Sequence, residues 1–179
     1  MDPATLAVVA RDDRDEAVRA QALTMLRDIA LESFEEVGQA ESLQAIELLT
    51  DQKVLAQVAK SSTHEVSAAR ALARVSELNQ LSSIAKHAAV DAVRMDALGR
   101  VKDQQAHDEL LAIALNSDFK DTALAALEQI TDRAELEQVI ARGRNKSAVK
   151  RARTIVREAE EQAVREAAAA AAAAVAAAH

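Results

Sequence analysis

The chain has 179 residues, a formal net charge of −7 and 43 alanines, with another 43 residues supplied by Leu, Ile, Val and Phe. It has no Cys, Trp or Tyr and only three Gly, one Pro and two Phe, which excludes disulfide scaffolds and thiolate metal sites. It also lacks the turn formers and β-formers that a sheet needs at short intervals. An all-α protein with enough apolar mass for a packed core is what remains.

At the N-terminus, Asp2 followed by Pro3 reads as a helix cap with proline at the first helical position. Met1 to Thr5 lack the basic and apolar regions expected of a secretory signal. The acidic run Asp12-Asp13-Arg14-Asp15-Glu16 lacks the glycine and ligand spacing of a calcium loop, and reads as acids favoured near a helix start. Val9-Ala10-Arg11 and Val18 to Leu23 match Ile84-Ala85-Lys86 and Val93 to Leu98 at a constant offset of 75. Phe34-Glu35-Glu36-Val37-Gly38 interrupts the pattern, so the second unit, about residues 27–53, is expected to be irregular.

From Leu55 onward the repetition is regular. Leu55 to Lys60, Leu81 to Lys86, Leu110 to Leu115 and Leu136 to Ala141 begin 26, 29 and 26 residues apart. The same offsets align Leu72 to Val75, Leu98 to Val101 and Leu127 to Ile130, and polar joints such as Thr50-Asp51-Gln52 and Thr131-Asp132-Arg133 close the units. Apolar steps of three and four residues make each unit two short helices. Such a pair buries its apolar face only by stacking on neighbours. Ala59, Ala85, Ala114, Ala71, Ala97 and Ala126 are the small residues that allow close approach. Ser62-Thr63-His64-Glu65 and Asp132-Arg133-Ala134-Glu135 have capping-box spacing. Gly99, inside a repeat helix, is read as permitting a close packing contact.

The pattern resembles the short HEAT-like repeats. Val18-Arg19 after Asp15, and Val93-Arg94 after Asp91, look like that family's aspartate and valine–arginine signature at the start of the second helix. The resemblance covers roughly residues 4–157 and implies an α-solenoid of short helix pairs. Ala68, Ala123 and Val149 stand where Arg94 does in other units. The joints at Leu49–Gln52 and Ile130–Arg133 also resemble a bacterial family of unknown function in which HEAT-like repeats precede long coiled coils. The expected organisation is a repeat array over residues 1–146. Residues 147–179 then form a last repeat helix continuing into an alanine-rich extension.

Charge is segregated. Residues 1–140 carry a net −11, whereas 141–157 hold seven basic groups and no acid: Arg142, Arg144, Lys146, Lys150, Arg151, Arg153 and Arg157. These form a candidate patch for an anionic partner. They could equally shield the acidic array or pair with Glu158, Glu160 and Glu161 as helical neighbours. No aromatic residue is interleaved for base stacking.

Beyond Ser147 no helix breaker occurs up to Ala178. Val149, Ala152, Val156, Ala159 and Ala163 make a narrow seam at near-heptad spacing. A paired helix, a solvated helix and the edge of a longer coiled coil all fit. Ala167–Ala178 is too short and too weakly apolar to span a bilayer, which takes ~20 strongly apolar residues.

The chemistry-bearing residues are sparse. His64, His87, His107 and His179 form no metal pair, and His107 with Asp103, Asp108 and Glu109 reads as a solvent-facing joint. Gly38, Gly99 and Gly143 stand singly, so there is no phosphate loop. The expectation is a non-enzymatic cytoplasmic scaffold with no cofactor, metal or small-molecule substrate. It binds another protein along successive second helices, with Arg70, Arg74, Arg94, Asp96, Arg100 and Glu128 as groove candidates. Nucleic-acid or polyanion binding through residues 142–157 is the alternative.

Overall fold

The computed structural model describes residues 2–179, which form eleven helices and no strand. The chain is all-α, as its composition predicts. It divides into two compact units, Met1–Leu110 and Leu111–His179.

The first unit holds α1 (Pro3–Asp12), α2 (Glu16–Ala30), α3 (Gln39–Leu48), α4 (Gln52–Ser61), α5 (Glu65–Ala73), α6 (Leu78–His87) and α7 (Asp91–Asp103); α8 (His107–Asn116) crosses the junction. Sequence neighbours α1 and α2, α4 and α5, and α6 and α7 pack together, and α2 also packs on α3. Each helix from α1 to α5 also touches the one two places further on. Between α2 and α3, residues 31–38 carry no helix, and Glu32 takes a left-handed φ of 54°. Residues 27–53 thus hold the end of α2, a helix-free stretch and the single complete helix α3.

The second unit contains the rest of α8 with α9 (Lys120–Leu127), α10 (Arg133–Arg142) and α11 (Lys146–Ala178). Both α9 and α10 pack on α11, which runs unbroken for 33 residues. Of the near-heptad seam, Ala152 is buried, Val149 and Val156 are half-buried, and Ala159 and Ala163 are exposed. Every α11 residue from Arg157 onward is exposed.

Short side-chain caps start many of these helices. Asp2 accepts from the amides of Ala4 and Thr5 and from the Thr5 hydroxyl at 2.9 Å. That hydroxyl first, with the amides, holds the Asp2 carboxyl below the usual carboxylate range. Asp15, Asp51, Asp132 and Asn145 cap α2, α4, α10 and α11 in the same manner. The capping box expected at Ser62 is not formed. The cap of α5 is His64, whose side chain makes no capping bond. Ser62 instead ends α4, and its Oγ accepts from the His64 amide at 3.2 Å while donating to the His64 carbonyl. Ser117 does the same with Phe119, 55 residues further along, so this hydroxyl belongs to the joint and not to the following helix.

The matched positions fill the core. Leu55, Leu81, Leu110 and Leu136 are buried, as are Ala71, Ala97, Ala126 and Ala152. A buried leucine contributes ~1.5–3 kcal/mol of transfer free energy. The alanines contribute mainly by being small, because a larger group there would hold neighbouring helices apart.

The glycines separate into tight and open positions. A Cβ at Gly99 would meet nothing within 4 Å, so the close contact expected there is absent. At Gly143, between α10 and α11, a Cβ would lie 2.5 Å from the Val139 carbonyl and 2.7 Å from Val149 Cγ2. Gly143→Ala is expected to destabilise the chain by about 1–3 kcal/mol through overpacking. Gly99→Ala should stabilise it by up to about 1 kcal/mol through helix propensity. Urea melts of the two variants, read by circular dichroism, check both signs.

Candidate interaction surface

Three of the six groove candidates turn inward, and their task is to finish helix ends. The last carbonyls of a helix lack intrahelical donors. Arg74, at the end of α5, donates to the carbonyls of Ile46, Glu47 and Leu49 at the end of α3. Arg100 on α7 donates to Leu72 O of α5 at 3.1 Å. Arg94 is 5% exposed and donates to Ala88 O at 2.8 Å and Ala89 O at 3.3 Å. Arg19 makes the equivalent bond six residues back, to Asp13 O at 2.6 Å. Arg19 and Arg94 thus tie the starts of α2 and α7 to the joints before them. A buried Arg94 presents no charge to a partner, which removes it from the groove surface.

The other three candidates are exposed. Arg70 pairs with Glu47 at 3.2 Å, Asp96 with Arg100 at 3.3 Å, and Glu128 with Arg151 at 3.4 Å. Around Arg70 and Asp96, α5 and α7 expose apolar and small side chains that the sequence reading passed over. Val66 is 50% and Met95 is 41% exposed, and Ala69, Ala73 and Ala92 are exposed as well. Ala69 and Met95 occupy the same register position one unit apart, and α5 packs beside α7. A shallow depression on α5 is lined by Glu65, Val66, Ala69, Arg70 and Ala73. Apolar side chains that no intramolecular contact covers are the signal in this surface. Helical periodicity flags them as core, and only the packing shows that they face out.

All seven patch residues, Arg142, Arg144, Lys146, Lys150, Arg151, Arg153 and Arg157, lie on the surface of the second unit. Arg144 pairs with Asp118 at 3.0 Å, Arg151 with Glu128, and Arg157 with Glu161 at 3.9 Å. Beside them a cleft of about 410 Å³ has Leu127, Ile130, Leu136, Ile155 and Val156 in its walls. Arg133 at its edge bonds Glu160 and Glu137, and those two carboxylates, Glu160 first, push its pKa further up.

The remaining candidates do not converge. Asp12 pairs with Arg11, Asp13 accepts from the Asp15 amide, and Asp15 caps α2. Asp103, His107 and Asp108 are exposed and Glu109 is half-buried. His64 Nε2 lies 3.3 Å from Glu32 Oε2. Among the described residues no three His, Asp or Glu side chains could share a metal ion, and no helix is long and apolar enough to cross a membrane.

The sequence matches no known protein-family model, and no curated protein matches it.

The inward role of Arg94 carries its own test. Arg94→Met keeps the apolar stem but leaves Ala88 O without its charged donor. The expected loss is about 1.5–3 kcal/mol, the range for a hydrogen bond to a charged group. Arg19→Met, at a half-buried site, should lose less. Equilibrium urea unfolding of the two variants ranks them.

Proposed function

We propose that the chain is a non-enzymatic helical-repeat scaffold of the HEAT-like kind, which binds another protein along the outward face of its second helices. The observation that carries this reading is the uncovered apolar surface of α5 and α7, with Val66 and Met95 half-exposed beside Ala69 and Ala73. A partner helix or loop laid there would bury side chains that now meet water.

The repeat part of the proposal is supported by contacts that recur in register. Glu47 pairs with Arg70 in the first unit and Glu128 with Arg151 in the second, each residue 81 positions from its counterpart. The Ala89 amide donates to Lys60 O at 2.9 Å and the Arg144 amide to Leu115 O at 2.8 Å, again at one shared offset of 55. Hydrogen bonds of this type tie one helix pair to the pair before it. These two kinds of bond repeat with the alanine and leucine positions, as a stack of similar units requires.

Capture experiments on the intact chain test the function. Wild type should retain one or more proteins that Val66→Glu/Met95→Glu loses, with unchanged thermal melting, since both positions are already open to water. An undiminished set of captured proteins on that double variant would exclude the second-helix face as the binding surface.

A further inference from the structure

The cations of the second unit are not scattered. Lys146, Lys150, Arg153 and Arg157 follow one another at steps of four, three and four residues, which places them on one face of α11. At 1.5 Å per residue the row is ~16 Å long. All four are exposed, and Arg142 in the last turn of α10 precedes them. The neighbouring Arg144 and Arg151 are held by Asp118 and Glu128. Among the described residues, Arg142, Lys146, Lys150 and Arg153 have no acidic partner. Val164, 69% exposed, continues the same face two turns after Arg157.

The borders of the row decide which anion fits it. Glu158, Glu160 and Glu161 follow directly on the same helix, and residues 1–140 carry a net −11. A nucleic acid long enough to use all the cations would run on into those carboxylates. It would also find no aromatic side chain to stack on, because the two phenylalanines lie at positions 34 and 119. A short acidic segment ends where the row ends. With charges screened over ~8 Å at physiological salt, contact complementarity outweighs the chain's overall negative charge.

We propose that the outward face of α11 from Lys146 to Arg157 is a docking site for an acidic helical segment of a partner protein, about three turns long. Its carboxylates match the four-three-four spacing of the cations. The inference stands on α11 alone and is independent of how the second helices of the first unit are used.

The test uses the intact chain and fluorescence anisotropy with four probes. These are a helical peptide with glutamates at four-three-four spacing, a scrambled peptide of equal composition, a DNA single strand and a DNA duplex of comparable charge. The patterned peptide should bind about tenfold tighter than the scrambled one, and more weakly as salt rises. Lys150→Glu/Arg153→Glu should reduce its binding about tenfold or more, and a peptide with lysines at the two facing positions should restore it. Lys150→Gln/Arg153→Gln, a milder change, should weaken binding without restoration by that peptide. Val66→Glu/Met95→Glu should leave peptide binding unchanged, which separates this site from the second-helix face. Tighter binding of DNA, equal binding of the two peptides, or no binding at all would overturn the proposal. So would salt-sensitive self-association lost in the Lys150→Glu/Arg153→Glu variant, since a second copy of the chain would then be the occupant.

Discussion

A helix of eight to ten residues is not stable alone in water, because nucleation fixes several residues before a hydrogen bond compensates. Eight of the eleven helices here have ten residues or fewer, under three turns, and α9 has eight residues. Their persistence depends on burying one stripe against neighbours. The alanines at 71, 97, 126 and 152 set how near those neighbours come, and the leucines at 55, 81, 110 and 136 fill the space that results. Neither class suffices without the other. Alanine alone buries too little surface, and leucine alone would hold the helices too far apart to reach the joints.

That second distance matters because short helices multiply helix ends. Each end adds carbonyls with no partner in their own helix, and a chain of many short helices has a large share of its backbone in that condition. Arg19, Arg74, Arg94 and Arg100 answer this by reaching to carbonyls at joints or preceding helices. An arginine stem is long enough to cross a helix pair and offers several donors at its head. The close approach set by alanine and the reach of arginine are therefore one design. Widening the spacing would break the bonds as well as open the core.

Most of the helices were legible in the sequence because three- and four-residue apolar steps and aspartate caps are local properties. Asp2 and Asp132 are read in that way, and both cap helices. Ser62 could not be, since a hydroxyl three residues before a helix serves equally as its cap or as the end of the previous helix, and here His64 takes the extended backbone of the cap. The arginines failed for a related reason. Arg74 and Arg70 look alike in sequence, yet one is bound to carbonyls of α3 and the other sits on the surface with Glu47. Only the register between helices, a non-local quantity, tells them apart. Gly99 reversed expectation for the same cause, and Gly143 gave no packing signal: a missing Cβ reveals nothing of what would have met it.

The cationic row of α11 includes a position whose counterparts at the same sequence offsets are apolar. Arg153 stands at the register of Leu72, Leu98 and Leu127, all buried, and it is exposed. Glu137 likewise stands where Ala56 and Ser82 are buried, and it too is exposed. No helix of this unit covers these positions, so leucine or alanine there would leave apolar surface in water, whereas a charge is solvated at little cost. Solvation explains why the positions are polar. It does not explain why Lys146, Lys150, Arg153 and Arg157 share one sign, since alternating charges would solvate the face equally well and would repel one another less. Like charges spaced one turn apart are mildly unfavourable within the helix, and an anionic partner is the simplest condition under which that arrangement lowers the free energy.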